Sequence, residues 1–140
     1  MAIDYGTKRV GIAVTDENQI IASGLTTVHS KDILPFLKAY VLKEKVECFV
    51  VGEPKRMNNM ASDVEKQIAP FVRSLQNAFP QIPVERMDER FTSKMAFQAM
   101  IDGGLKKKDR QNKETVDMVS AAIILQSYLE LKQNKTNKLL

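Results

Sequence analysis

The chain is poor in the residues that most often announce a chemistry. Its 140 residues include one cysteine, one histidine and no tryptophan, with three tyrosines and six phenylalanines. A single thiol cannot form an internal bridge. Cys48, inside the apolar run ECFVVG, is therefore expected to be a small buried core residue, and nothing requires an oxidising compartment. No histidine–cysteine cluster suggests zinc, and His29 is expected to be an ordinary loop residue. No G-x-S-x-G stretch occurs, so a serine triad on a nucleophile elbow has no support. The few aromatic residues do not suggest an extended platform for stacking bases. No apolar run reaches the roughly 18 to 20 residues of a membrane-spanning helix, and the first residues lack a signal-peptide pattern. These absences predict a soluble, cytoplasmic protein without a membrane partner.

What remains is an ordinary globular composition, 44% hydrophobic, of a length suited to one domain with a sizeable core. The net charge of +4 permits nucleic-acid binding without demonstrating it. Residues 2–4, 10–15 and 20–28 read as three strands, with glycine in the first connection. Helical spacing over 32–45 places Pro35 in the first turn. The continuous apolar run at 47–54 reads as a strand buried on both faces. A helix over 61–79, a strand over 83–90 and a short helix over 93–102 follow. The stretch 103–114, GGLKKKDRQNKE, reads as a mobile basic loop, and a strong helix is expected over 115–131 before a frayed tail. Three strands in a meander, followed by alternating helices and strands, define an α/β fold. The expectation is a mixed five-stranded sheet with helices on both faces.

Carboxylates fall at the ends of these elements. Asp4 ends the first strand, Glu53 and the pair Asp88-Glu89 end two later ones, and Asp117 opens the last helix. Each has an unremarkable explanation: a turn residue for Asp4, a favourable helix-dipole position for Asp117. Together they share the edge where ligands of open α/β sheets bind. Crowded carboxylates repel each other unless a cation is present. Mg²⁺ or Mn²⁺ suits oxygen ligands of this kind and can activate water against a phosphodiester.

The segments AIDYGTKRVGIAVTD, FVVGEPKRMNN, MDERFTS and DMVSAAIILQSYLE, in this order, resemble the YqgF family, also called RuvX. Its members are described as Holliday-junction resolvases and as nucleases of the ribosomal RNA precursor pre-16S rRNA, with an RNase H-like fold. The resemblance spans 1–131, which makes this the expected nuclease domain and 132–140 a flexible tail. It implies a metal-dependent endonuclease acting on structured nucleic acid: processing of the pre-16S rRNA 5′ end in ribosome biogenesis, resolution of branched DNA, or both. Carried over by position, its acidic residues are Asp4, Glu89 (or its neighbour Asp88) and Asp117, and the implied partners are nucleic acid and ribosomal particles. The state is expected to be a monomer or homodimer. Two departures stand out. The family usually has several residues before its D-Y-G motif, where this sequence has only Met1, Ala2 and Ile3, so a very short first strand is expected. It also often reads G-L-P where this sequence has Gly52-Glu53-Pro54, which leaves Glu53 as a further candidate ligand.

Gly6 is expected to allow a phosphate or metal close to the backbone. Lys8, Arg9, Arg56 and Arg90 are candidates for phosphate oxygens, Arg90 equally for pairing with Asp88 or Glu53. Lys106, Lys107, Lys108 and Arg110 are suited to gripping backbone without reading sequence. Thr92 and Ser93 are expected to cap the following helix. Two other readings compete. A nucleic-acid-binding or ribosome-assembly module keeps this fold without activity. The segment DYGTKRVGIAVTD also resembles the phosphate loop of actin- and Hsp70-like ATPases, but those enzymes close two such domains around ATP, and this chain has room for one.

Overall fold

A computed structural model describes residues 1–54, 63–89 and 112–139, the last six by backbone alone. The expected helix over 93–102, most of the basic loop, the capping pair Thr92 and Ser93, and the candidate cations Arg56, Arg90, Lys106, Lys107, Lys108 and Arg110 lie outside the described residues.

Five strands form one sheet: β1 (Ala2–Tyr5), β2 (Arg9–Thr15), β3 (Ala22–His29), β4 (Phe49–Glu53) and β5 (Val84–Asp88), ordered β3-β2-β1-β4-β5. The β1–β2 and β2–β3 pairs are antiparallel, whereas β1–β4 and β4–β5 are parallel. The sheet is therefore mixed, as expected. Because β1, β4 and β5 run in one direction, their carboxyl ends gather at one edge.

Side chains alternate across the pleat. On one face Ile3, Val10, Ile12, Phe49 and Val51 pack against α1 (Ile33–Lys43) and α2 (Glu65–Ala78), through Ile33, Leu37, Ile68, Phe71 and Leu75. On the other, Ala2, Ala13 and Val50 meet α3 (Lys113–Leu139) at Ala121, Ile124 and Leu125. Helices cover both faces. The α3 face is lined by small residues, and this lets the helix lie very close. A Cβ built on Gly11 would stand 2.1 Å from the Asp117 carbonyl oxygen, and one on Gly24 would stand 3.1 Å from Met118 Cβ.

Several boundaries differ from expectation, each for a local reason. β3 starts at Ala22 instead of residue 20, because the Ile20 and Ile21 amides donate to Asp16 Oδ1 at 2.8 and 2.9 Å and belong to the loop. Cys48 is half-buried, ahead of β4 rather than in the core, and burial beside Glu85 pushes its thiol up. His29 ends β3, where its Nδ1 accepts from the Lys31 amide at 3.1 Å. The last helix begins at Lys113 and continues past Leu131 to Leu139. Neither glycine nor proline interrupts KQNKTNKL, so nothing local stops it.

Candidate active site

The turn between β1 and β2 is a tight connection. The Gly6 amide donates to the Arg9 carbonyl at 2.9 Å, and a Cβ on Gly6 would stand 2.7 Å from that same oxygen. The space that glycine leaves is thus used by the turn itself. Lys8 is exposed at its tip, and its carbonyl accepts from the Ser30 amide at 3.0 Å.

Asp4 lies opposite Gly11 in the β1–β2 ladder. Alternation from Ala2 puts it on the α3 face, near the carboxyl end of β1. Asp117 is on α3. It is the fifth helical residue and not in the first turn, where Glu114 stands, so a favourable dipole position does not account for it. Asn112 caps this helix through Oδ1, which accepts from the amides of Glu114 and Thr115 at 3.0 and 3.3 Å. Glu89 follows β5, and its amide donates to the Glu53 carbonyl at 3.2 Å, extending the β4–β5 ladder by one bond. Its carboxylate occupies the room that Gly52 leaves: a Cβ there would stand 2.1 Å from Glu89 Oε2 and 2.9 Å from Ile124 Cδ1. Asp4, Glu89 and Asp117 therefore come from three elements to one face of one edge.

The electrostatics agree with that crowding. Burial, and then the Asp117 charge, pushes the Asp4 carboxyl up to about 6. Burial first, then the Asp4 charge, pushes Glu89 up to about 8, with Arg86 opposing and Glu65 and Asp88 adding. Asp117 has a cation of its own. Arg9 Nε donates to its Oδ2 at 2.9 Å, joining residues 108 positions apart. No three acidic, histidine or cysteine side chains among the described residues form a metal-ligating group. The donor chemistry still fits a hard divalent cation. All three are carboxylates, and two are held in a state that a nearby positive charge would relieve.

The other acidic candidates go elsewhere. Glu53 and Asp88 alternate onto the opposite face of the sheet. There Arg86 gathers a second cluster. Its guanidinium donates to both Glu65 oxygens at 2.7 and 2.8 Å, to the Gly52 carbonyl at 3.0 Å and to the Val51 carbonyl at 3.3 Å. Glu53 is 3.8 Å from the same guanidinium. Sequence reasoning passed over Gly11, Gly52, Glu65 and Arg86. The two glycines did carry a signal, since an isolated glycine inside a strand marks a close approach by something else.

The chain resembles known proteins along nearly its whole length. The family model described as RuvX: Holliday junction resolvase matches residues 1–131. A protein of Phocaeicola vulgatus is 62% identical over 133 residues, which cover 95% of this chain and 96% of that one. One of Flavobacterium psychrophilum is 60% identical over 132 residues, covering 94% and 96%. Both carry the name "Putative pre-16S rRNA nuclease". Among solved structures, the Thermus thermophilus RuvC chain in complex with a Holliday junction substrate superposes with a TM-score of 0.53. That match has 18% identity and covers 94% of this chain and 93% of that one, a likeness of fold.

Proposed function

The chain belongs to the RuvX family of Holliday junction resolvases, and from that membership we propose that it is a metal-dependent endonuclease acting on structured nucleic acid. The activity is assigned to residues 1–131. The observation that carries this reading is the convergence of Asp4, Glu89 and Asp117 on one face of the sheet edge, with Asp4 and Glu89 pushed up to about 6 and about 8. These three would hold Mg²⁺ or Mn²⁺; bound there, the ion would supply an activated water and charge stabilisation for the leaving oxygen. Glu89 is preferred to Glu53 and Asp88 because only Glu89 shares the face of Asp4 and Asp117. Glu53 lies within ion-pair distance of Arg86 on the other side.

The names of the relatives favour the precursor of 16S rRNA as the first substrate to test, with a four-way DNA junction second. That substrate implies a cytoplasmic protein working on ribosomal particles, as monomer or homodimer. The described helices include none long and apolar enough to cross a membrane. Lys8 at the turn tip, together with Arg56, Arg90, Lys106, Lys107, Lys108 and Arg110, is proposed to hold the phosphate backbone.

The test is cleavage of pre-16S rRNA fragments, four-way junctions and a linear duplex by native protein and by Glu89→Gln, with Mg²⁺, Mn²⁺ or chelator. Native protein should cut one structured substrate only with metal. Glu89→Gln should lose about 100-fold or more in rate while still binding, since it removes charge from the reacting centre; Glu53→Gln should stay active. Full activity in chelator, or in Glu89→Gln, would overturn the assignment. The Arg9–Asp117 pair favours a second reading, a module that binds nucleic acid without cutting it. Tight binding with no cleavage of any substrate would establish that one.

A further inference from the structure

Arg9 was a phosphate candidate by sequence, but its guanidinium is turned inward onto Asp117. Three observations give this pair a role. First, it is held by construction. Arg9 opens β2 two residues before Gly11, and the α3 backbone at Asp117 rests where a Gly11 Cβ would stand, 2.1 Å from the carbonyl oxygen. Arg9 and Asp117 are thus kept within reach by packing of main chain on main chain. Second, the pair is weak enough to open. The two side chains remain 35% and 22% exposed, and contact is through Nε and a single carboxylate oxygen. A pair this open to water is held only weakly. Third, the carboxylate oxygen Oδ2 that would be offered to a cation at this edge is the one that accepts from Arg9 Nε.

We propose that Arg9 is the displaceable counterion of Asp117, holding its carboxylate while the acidic edge carries no divalent cation and yielding it when one enters. The proposal rests on the metal-dependent reading above. A cation that takes Asp117 repels the guanidinium beside it. Arg9 is then released at the edge where a phosphodiester would lie, suited to its oxygens. Metal loading and substrate binding are coupled through this one side chain. The rival role is an orienting residue that holds Asp117 toward the metal. The two roles differ in sign. Removing a competitor tightens metal binding, whereas removing an orienting partner loosens it.

Calorimetric titration of the full chain with Mn²⁺ decides between them. Arg9→Met, which keeps the aliphatic stem, should bind Mn²⁺ about fivefold tighter than native, the strength of the pair it loses. Arg9→Lys should fall between the two, and Asp117→Asn should bind more weakly than native. An independent reading comes from the native protein alone. The Nε–H resonance of Arg9, followed by nuclear magnetic resonance, should shift when Mg²⁺ saturates the protein. That measurement stands even if Arg9→Met fails to fold. Unchanged or weaker Mn²⁺ affinity in folded Arg9→Met, or an Nε–H resonance unmoved at saturating Mg²⁺, overturns the proposal while native metal binding preserves the nuclease reading. No Mn²⁺ binding by native protein, with and without nucleic acid, overturns both.

Discussion

Two groups of charged side chains meet at the carboxyl edge of the sheet, one on each face, and they are built on opposite rules. Beneath the sheet, one guanidinium, Arg86, gathers the Glu65 carboxylate, two backbone carbonyls and Glu53. The Glu65 carboxylate is bonded through both oxygens, and each contact ties one element to another: β5 to β4, and β5 to the first turn of α2. Above it, Asp4, Glu89 and Asp117 crowd together, and Arg9 bonds to Asp117. Two of those acids are raised well above ordinary carboxylates. The bonded cluster holds the edge together, and the crowded one is the proposed site.

On this division, breaking each cluster has a different consequence, and the larger loss of stability belongs to the bonded one. Arg86→Met strands a mostly buried Glu65 carboxylate and two strand carbonyls. It should cost about 2 kcal/mol or somewhat more, a melting temperature lower by roughly 5 to 10 °C. Glu89→Gln should leave the metal-free melting temperature unchanged or higher, because it removes a carboxyl group whose ionisation the folded chain disfavours. Thermal unfolding of the two variants beside native protein makes the comparison. Equal losses would erase the distinction between the faces.

Gly52→Ala sharpens the contrast within the upper cluster. Its Cβ would meet the Glu89 carboxylate and the tip of Ile124, both movable ends of side chains. Stability should therefore change little, whereas the displaced Glu89 should lower nuclease activity by about tenfold, the usual result of disturbing what orients a ligand. Gly11→Ala is the internal control, since its Cβ would meet the α3 main chain, which cannot step aside. Cleavage rates and melting temperatures for both variants check this. A Gly52→Ala protein with native activity would show that Glu89 does not need its place above that glycine.

Much of this organisation was legible in the sequence because it depends on periodicity. The meander, the alternating elements that follow and the acids at their ends emerge from patterns of two and of three to four residues. The faces did not emerge as readily. Whether Glu53, Asp88 or Glu89 joins Asp4 depends on the parity of each position in β4 and β5, which needs the strand register and not the strand alone. The Arg9–Asp117 pair was beyond reach for another reason. It spans 108 positions and depends on how closely α3 lies on β2. Only Gly11, inside an otherwise apolar strand, hinted at that closeness. Cys48 has an apolar neighbourhood in sequence, yet it stands ahead of β4 and is only half-buried, because burial follows the strand's start and not the run of apolar residues.

The smallest effect is also the one that tests the upper cluster without any substrate. Burial and the repulsion of neighbouring carboxylates push Asp4 and Glu89 up to about 6 and about 8, above their ordinary 3.8 and 4.5. Between the unfolded and the folded values, the folded state binds the more protons. Stability must then fall as pH rises, since its slope follows the protons bound by the unfolded state minus those bound by the native one. The contribution is fully present below pH 4, declines through about pH 6 as Asp4 ionises, and is gone above about pH 8 when Glu89 has followed. For partly buried acids that can relax towards water, roughly 1 to 2 kcal/mol is expected over that span. Metal-free native protein should therefore melt at progressively lower temperature from pH 5 to pH 8. Glu89→Gln should flatten the upper part of the curve and Asp4→Asn the lower part, while Arg86→Met should keep its downward slope. Mn²⁺ requires the ionised carboxylates, so its stabilising effect should run the other way and grow with pH. A native melting temperature that rises steadily from pH 5 to pH 8 without metal would mean that these acids are not crowded in the folded chain.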